Sequence, residues 1–335
     1  MRMIALLAAV TALTTGVFGA DKNTLLNVSY DVAREFYEKY NILFIDHYKQ
    51  KSGAVAKINQ SHAGSSKQAR AVIDGLEADV ITMNQPTDVD SIAERGRNLV
   101  VKDWRKKFPH NASPYTSTMA FMVRKGNPKG IKDWDDLAKA GTSVVIPNPK
   151  TAGNGRYSYL GMWAFAKEKF NADETKIRSF LSSIFKNVPV LDTGGRGATT
   201  TFVQRGIGDV LLTFEAEILT SIQEAGPDKF EIVYPSQSVE AEMPVALVER
   251  IVDRHGTREL ATEYLNFLYS EPAQELIVKH FYRPRLESVT AKHGDKFGKL
   301  KLVKVEDAFG GWTQAQKTHF SEGGTFDQIY AARNK

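Results

Sequence analysis

The pattern that most limits the fold of this chain is a repeated one: a short apolar run, a corner rich in glycine and serine, then an amphipathic stretch. Leu25-Leu26-Asn27-Val28 leads through Ser29-Tyr30-Asp31 into a segment with Phe36, Tyr37, Tyr40 and Phe44 at helical spacing. Val55 to Ile58 leads through Gln60-Ser61-His62-Ala63-Gly64-Ser65-Ser66-Lys67-Gln68 to Ala69, Val72, Ile73 and Leu76 on one helical face. Residues 79–83 read as a further strand. Residues 143–147 are a strand before Asn148-Pro149-Lys150-Thr151-Ala152-Gly153-Asn154-Gly155-Arg156, and Leu160, Trp163 and Ala164 share a face beyond it. Residues 188–191 lead into Asp192-Thr193-Gly194-Gly195-Arg196-Gly197-Ala198 and a helix through Phe202 and Val203. Gly206 and Gly208 stop that helix, and 210–214 is the next strand. Residues 259–269 and 273–281 read as helices. Apolar strands alternating with helices predict the α/β class, with parallel sheets covered by helices on both faces. Trp163 and Phe202 then belong to the core.

Composition narrows the function. The 335 residues are 42% hydrophobic and 25% charged, which suits one large domain or two lobes. There is no cysteine, so thiolate nucleophiles, disulfides and Cys-ligated metals are excluded. The net charge is +5, but the basic residues are dispersed. Even the run from Lys102 to Lys107 is broken by Asp103 and Trp104. A nucleic-acid partner would call for one basic face, and none is expected here. Met1–Ala20 has Arg2, an apolar run from Ile4 to Val10 and small residues at Gly16, Gly19 and Ala20, the three-part shape of a secretory signal peptide. Cleavage is expected after Gly19 or Ala20. Thr11, Thr14 and Thr15 interrupt the stretch, so it is not read as a membrane anchor, and no cysteine at the junction could carry a lipid.

Four corners share a chemistry: Ser29-Tyr30-Asp31, Gly64-Ser65-Ser66, Ala152-Gly153-Asn154-Gly155 and Gly194-Gly195-Arg196-Gly197. Each stands where a strand turns into a helix. A helix start leaves backbone N–H groups unpaired and carries roughly half a positive charge. Glycine lets a ligand approach that backbone, and serine adds an O–H donor. Corners of this kind hold an anion without lysine or arginine, and three converging helix ends supply about 1.5 compensating charges. Taken singly, each reads first as an ordinary turn with a helix cap. Together they suggest an oxyanion or small polar ligand at the carboxyl ends of the strands. Arg196 either touches that ligand or braces its loop through carboxylates or carbonyls. His62 is expected to order its loop. Of Asp31 only the backbone N–H suits an anion.

Enzyme patterns are weak. Gly64-Ser65-Ser66 lacks the trailing glycine of a nucleophile elbow, and neither H-E-x-x-H nor a phosphate-binding P-loop occurs. The seven histidines show no paired metal-ligand spacing, and no cofactor is expected. An exported sulfoesterase or phosphatase using Ser65 is the competing reading. It needs a base or metal beside that serine.

At these residues the chain resembles the periplasmic sulfate/thiosulfate-binding proteins, the solute receptors of an ABC importer. The resemblance runs from Leu25–Asp31 to Gly323-Gly324-Thr325-Phe326-Asp327. It is most specific at Gln60–Gln68, Val123-Arg124-Lys125-Gly126-Asn127-Pro128, Asn148-Pro149-Lys150-Thr151, Asp192–Phe202 and Phe309-Gly310-Gly311-Trp312. It implies a two-lobe binding-protein fold closing over its anion. Lobe one is expected over 21–115 plus 240–335 and lobe two over 116–239, with crossings near 116–123 and 236–245. It also implies a monomer that hands thiosulfate or sulfate to a membrane permease. The dianion is then held by the Asp31 backbone, the Ser65 hydroxyl, the Ala152-Gly153-Asn154 run, the Gly195 backbone and position 214. Ala152 stands where the family has serine, and Phe214 where the sulfate-type motif has tryptophan, so two donors are missing. Ala63-Gly64-Ser65-Ser66, Asn84-Gln85, Gly153-Asn154-Gly155-Arg156-Tyr157 and Gly194-Gly195-Arg196 look like the thiosulfate branch. Phosphate, molybdate and sulfonates remain alternative ligands.

Overall fold

A computed structural model describes residues 22–333; the leader read in Met1–Ala20 lies outside the described residues. Twelve strands are present among them, numbered in chain order: β1 (Thr24–Tyr30), β2 (Lys57–Ala63), β3 (Val80–Thr82), β4 (Tyr115–Arg124), β5 (Val144–Pro147), β6 (Leu191–Asp192), β7 (Val210–Phe214), β8 (Phe230–Val233), β9 (Gln237–Glu242), β10 (Val245–Leu247), β11 (Arg283–Pro284) and β12 (Lys301–Val303). They form two sheets. A four-stranded sheet has the order β10-β3-β1-β2, and an eight-stranded one runs β12-β9-β4-β7-β5-β6 with β8 and β11 also paired to β4. No helix among the described residues is long and apolar enough to cross a membrane.

The expected α/β class holds, but the sheets are mixed rather than all parallel. β1 pairs in parallel with β2 and β3, and β5 with β6 and β7. β10 runs antiparallel on β3, and β4 runs antiparallel to β7, β8 and β9. Only strands returned by a helix are parallel, because a crossover must separate parallel neighbours. The ten residues of β4, nine of them buried, link the pieces. Thr116–Thr118 face Glu240–Glu242 on β9, while Met119–Val123 face β7.

The aromatic face read in 36–44 is the core of the first sheet's side. Phe36, Tyr37, Tyr40 and Phe44 are buried on the Arg34–Ser52 helix, and Phe36 packs edge-on against Tyr115 and Tyr282 at 5.3 and 5.8 Å. Trp163 and Phe202 are also buried, as expected of core residues. Residues 188–190 precede rather than form the short β6, since Val188 packs inward while Val190 stays exposed. The Thr325–Ala332 helix sets Phe326 against Phe185 at 5.4 Å, and β12 pairs with β9.

Candidate functional site

Each glycine corner opens a helix, and the helices start at one place. Asp31 begins the short 3-10 helix Asp31–Ala33, Ser65 the helix Ser65–Ile73, Gly153 the helix Gly153–Lys169, and Gly195 the helix Gly195–Val203. Phe214 ends β7 and is the N-cap of Glu215–Ala225. None of the caps Gly64, Ala152, Gly194 and Phe214 closes its helix with a side-chain hydrogen bond. Their first N–H groups are therefore unclaimed by the N-cap side chains, the condition for an anion-binding corner, although Gly155 N donates to Asn154 Oδ1 at 3.2 Å.

Contacts at the glycines show how close these starts lie. A Cβ on Gly194 would stand 3.1 Å from Asp31 Oδ2, and one on Gly64 3.9 Å from the carbonyl oxygen of Thr151. A Cβ on Gly153 would collide with Asn84 Oδ1, and one on Gly195 with Asn154 Nδ2. Asn84 N in turn donates to Ser65 Oγ at 3.3 Å. A chain of close contacts thus runs from Asp31 through 194–195, Asn154, Gly153 and Asn84 to Ser65. All eight residues expected at the site fall on the helix starts of this cluster or at the caps preceding them.

The polar wall is made of amides and hydroxyls. Ser65 is 1% exposed, with its Oγ 3.5 Å from Met83 Sδ. It caps nothing, since Gly64 is the N-cap. Its hydrogen-bond partners among the described residues include no histidine or carboxylate, so no base activates it. Ser29 Oγ and Asn84 Oδ1 are buried without a partner among the described residues. The guanidinium groups are engaged elsewhere. Arg196 Nη2 donates to both carboxylate oxygens of Glu35, at 2.8 and 2.9 Å. Arg156 Nε donates to the Pro149 carbonyl at 2.9 Å and its Nη1 to Thr87 Oγ1 at 3.3 Å. His62 holds its loop, with Nδ1 3.0 Å from the Tyr30 carbonyl, and burial lowers its pKa.

Two positions are apolar. Ala152, 2% exposed, presents only a methyl. Phe214 is fully buried, its ring 5.9 Å from that of Tyr157, which packs edge-on to Trp312 at 5.0 Å.

One acidic residue at the site was not foreseen. Glu217, 8% exposed, accepts from Thr199 Oγ1 and Thr213 Oγ1, each at 2.6 Å, and its Oε2 is 3.2 Å from where a Cβ on Gly195 would stand. Burial pushes its pKa up to about 7; the two hydroxyls oppose that rise and the Asp31 charge adds to it. An acid in a helix's first turn is common sequence, and nothing in the pattern marked it.

Residues 32–283 match the family model described as bacterial extracellular solute-binding protein. A sulfate-binding protein of Escherichia coli is 54% identical over 305 residues, covering 91% of this chain and 92% of its own length. A thiosulfate-binding protein of Pseudomonas aeruginosa is 53% identical over 326 residues, 97% of each. The chain belongs to the sulfate- and thiosulfate-binding family of extracellular solute-binding proteins. Among solved structures, the sulfate-binding protein SubI of Mycobacterium tuberculosis superposes with a TM-score of 0.78 at 30% identity, over 88% of this chain and 98% of that one. A ferric binding protein from Campylobacter jejuni, TM-score 0.60 at 16% identity, shares the two-lobe fold alone. Membership in a family of named binding proteins sets the hydrolase reading aside: the chain is a receptor, not an enzyme.

Proposed function

We propose that this chain is a periplasmic receptor that captures thiosulfate or sulfate, with thiosulfate preferred, and delivers it to the membrane permease of an ABC importer. The observation that carries the reading is the meeting of uncapped helix starts at 31, 65, 153 and 195 in a cluster whose arginines are engaged by other groups. The ligand is held by the Asp31 backbone, the Ser65 hydroxyl, the Ala152-Gly153-Asn154 run and the Gly195 backbone, with Phe214 as an apolar wall. The names of the relatives, one sulfate-binding and one thiosulfate-binding, support an oxyanion of this class. The two apolar positions favour thiosulfate, because its terminal sulfur is a poorer hydrogen-bond acceptor than the oxygen it replaces. Calorimetric titration with thiosulfate, sulfate, phosphate and molybdate tests this. Binding of none of the four, or of molybdate alone, would refute it.

Two lobes, 21–115 plus 240–335 and 116–239, are proposed to close over the anion. The antiparallel pairing of Thr116–Thr118 with Glu240–Glu242 is what two adjacent crossings would need. In this division the closing segment acts as a clasp, since β12 pairs with β9 and Phe326 packs on Phe185. The receptor is proposed to be a monomer, exported with cleavage of its leader after Gly19 or Ala20. Mass spectrometry of an osmotic-shock fraction should find a chain beginning at Ala20 or Asp21.

A further inference from the structure

Glu217 is a buried carboxyl group within a few ångström of a site proposed to take a dianion. Electrostatics alone would remove it, because like charges in a partly water-excluded cleft repel more strongly than in water. Its burial also costs the fold. A carboxyl group whose pKa is pushed up to about 7 is destabilising wherever it is ionised. A group that weakens both the fold and, by its charge, the ligand's environment calls for a third role.

The hydrogen bonds supply one. Thr199 lies on the helix that Gly195 opens, and Thr213 is the penultimate residue of β7, next to Phe214. Both hydroxyls donate to Glu217, at 2.6 Å each. Thr213 Oγ1 has its lone pair left for Asn154 Nδ2, which donates to it at 3.3 Å. Asn154 is the second residue of the Gly153 helix, and its amide is what a Cβ on Gly195 would strike. One carboxyl group therefore ties together the three helices that start at 153, 195 and 215, the first of them through Thr213 and Asn154. We propose that Glu217 is the positioning residue of the site: through Thr199 and Thr213 it sets the mutual aim of the Gly153 and Gly195 helix starts, so that their N–H groups converge on one anion. This rests on the reading of the cluster as an oxyanion site.

The arrangement has the features such a role needs. Glu217 reaches both threonines because its two oxygens diverge, and a shorter or apolar side chain could not bridge them. The charged groups around it are Asp31 on the 3-10 turn, Glu35 on the Arg34–Ser52 helix, Arg196 on the Gly195 helix and Glu224 at the far end of its own helix. His280 and Tyr282 face it from the segment after the Glu271–Lys279 helix. Arg196 is engaged by Glu35, so Glu217 has hydroxyl partners in place of a salt bridge. A cavity of about 290 Å³ opens beside it, lined by Val32, Glu35, Arg196, Thr199, Glu217 and His280 among others. Small variants can therefore be accommodated by water.

The test separates aim from fold by measuring thiosulfate and sulfate Kd and thermal melts on the same proteins. Glu217→Gln keeps an acceptor and a donor for the two threonines, and should hold both Kd values within about threefold of wild type. Glu217→Ala should weaken both anions more than about tenfold while its melting temperature at pH 8 stays level or rises. Thr213→Val should weaken binding similarly, and the Glu217→Ala/Thr213→Val double variant should be no weaker than the worse single, because both cut one relay. Glu217→Ala within twofold of wild type, or losses in the double variant that multiply, would overturn the proposal. Should Glu217→Ala fail to fold, Thr199→Val and Thr213→Val carry the test alone, and normal affinity in both overturns it. Wild type that binds neither anion overturns the oxyanion reading itself, and this inference with it.

Discussion

Arg196 Nη2 lies 2.8 and 2.9 Å from the two carboxylate oxygens of Glu35, joining the Gly195–Val203 helix to the Arg34–Ser52 helix across the site. The sequence left Arg196 two roles, ligand contact or brace. The pair supports the brace for its side chain, while its neighbour Gly195 opens the helix. Side chains 47% and 41% exposed make this a screened interaction worth about 1 kcal/mol or less. Arg196→Met should therefore speed thiosulfate release up to about fivefold in stopped-flow, with almost no change in thermal stability. Loss of binding by a hundredfold would instead place the guanidinium on the anion.

Ser65 offers a sharper contrast. Its oxygen accepts from Asn84 N, and its hydrogen has only the weak acceptor Met83 Sδ nearby. An anion would take that hydrogen. Ser65→Ala should cost about 1.5–3 kcal/mol of binding, or roughly 10- to 150-fold in Kd, with a much smaller change in melting temperature. A melt that drops while affinity holds would make Ser65 structural.

Ala152 and Phe214 should respond differently to restored donors. Ala152 is the N-cap of a helix and has no capping side chain, so Ala152→Ser should raise stability by about 0.5–2 kcal/mol. Phe214 is fully enclosed, and Phe214→Trp should lower stability by about 1–3 kcal/mol through overpacking against Tyr157. Denaturant titration of each single variant checks both signs, and anion titration of the pair should show selectivity moving toward sulfate.

Glu217 makes stability depend on pH in a set direction. Its folded pKa, about 7, lies above its ordinary value of 4.5, so its contribution is fully present below about pH 4.5 and is lost as pH rises through 7. The loss is on the order of 3 kcal/mol at pH 8. Glu242, also pushed up to about 7 by burial and then by Glu306, adds a similar slope. The comparison is therefore with Glu217→Gln, which should be more stable than wild type at pH 8 and similar at pH 4.5. Equal curves for the two proteins would contradict the buried charge.

The helix starts were legible because glycine and serine after an apolar run mark them, and Gly153 and Gly195 fall where the pattern put them. β4 was not legible as a strand: residues 116–123 were marked only by the family resemblance, as an expected crossing. Nine of its ten residues are buried in one run without alternation, and its antiparallel partners come from distant segments, which turned expected parallel sheets into mixed ones. The Glu35–Arg196 pair joins residues 161 positions apart, and Glu217 meets Thr199 across 18. Each is an ordinary surface-type residue in its own window. Only the folded chain shows that one braces the cleft and the other lies beneath it.

The most direct measurement is the ratio of dissociation constants for thiosulfate, sulfate and phosphate on one wild-type preparation near pH 7. A wall of donors satisfies fully ionised anions but leaves the O–H of hydrogen phosphate facing other donors, which costs several kcal/mol. In the proposed site a sulfate oxygen set against Phe214 and the Ala152 methyl would lack a partner, which would cost about 1–3 kcal/mol. The account predicts thiosulfate tightest, sulfate roughly 5- to 150-fold weaker, and phosphate weaker than thiosulfate by on the order of 10³-fold or more. Phosphate within tenfold of thiosulfate would contradict it, for an acceptor such as Asn84 Oδ1, which is buried without a partner among the described residues, or a carboxylate of Asp31 or Glu217 would then be facing the ligand.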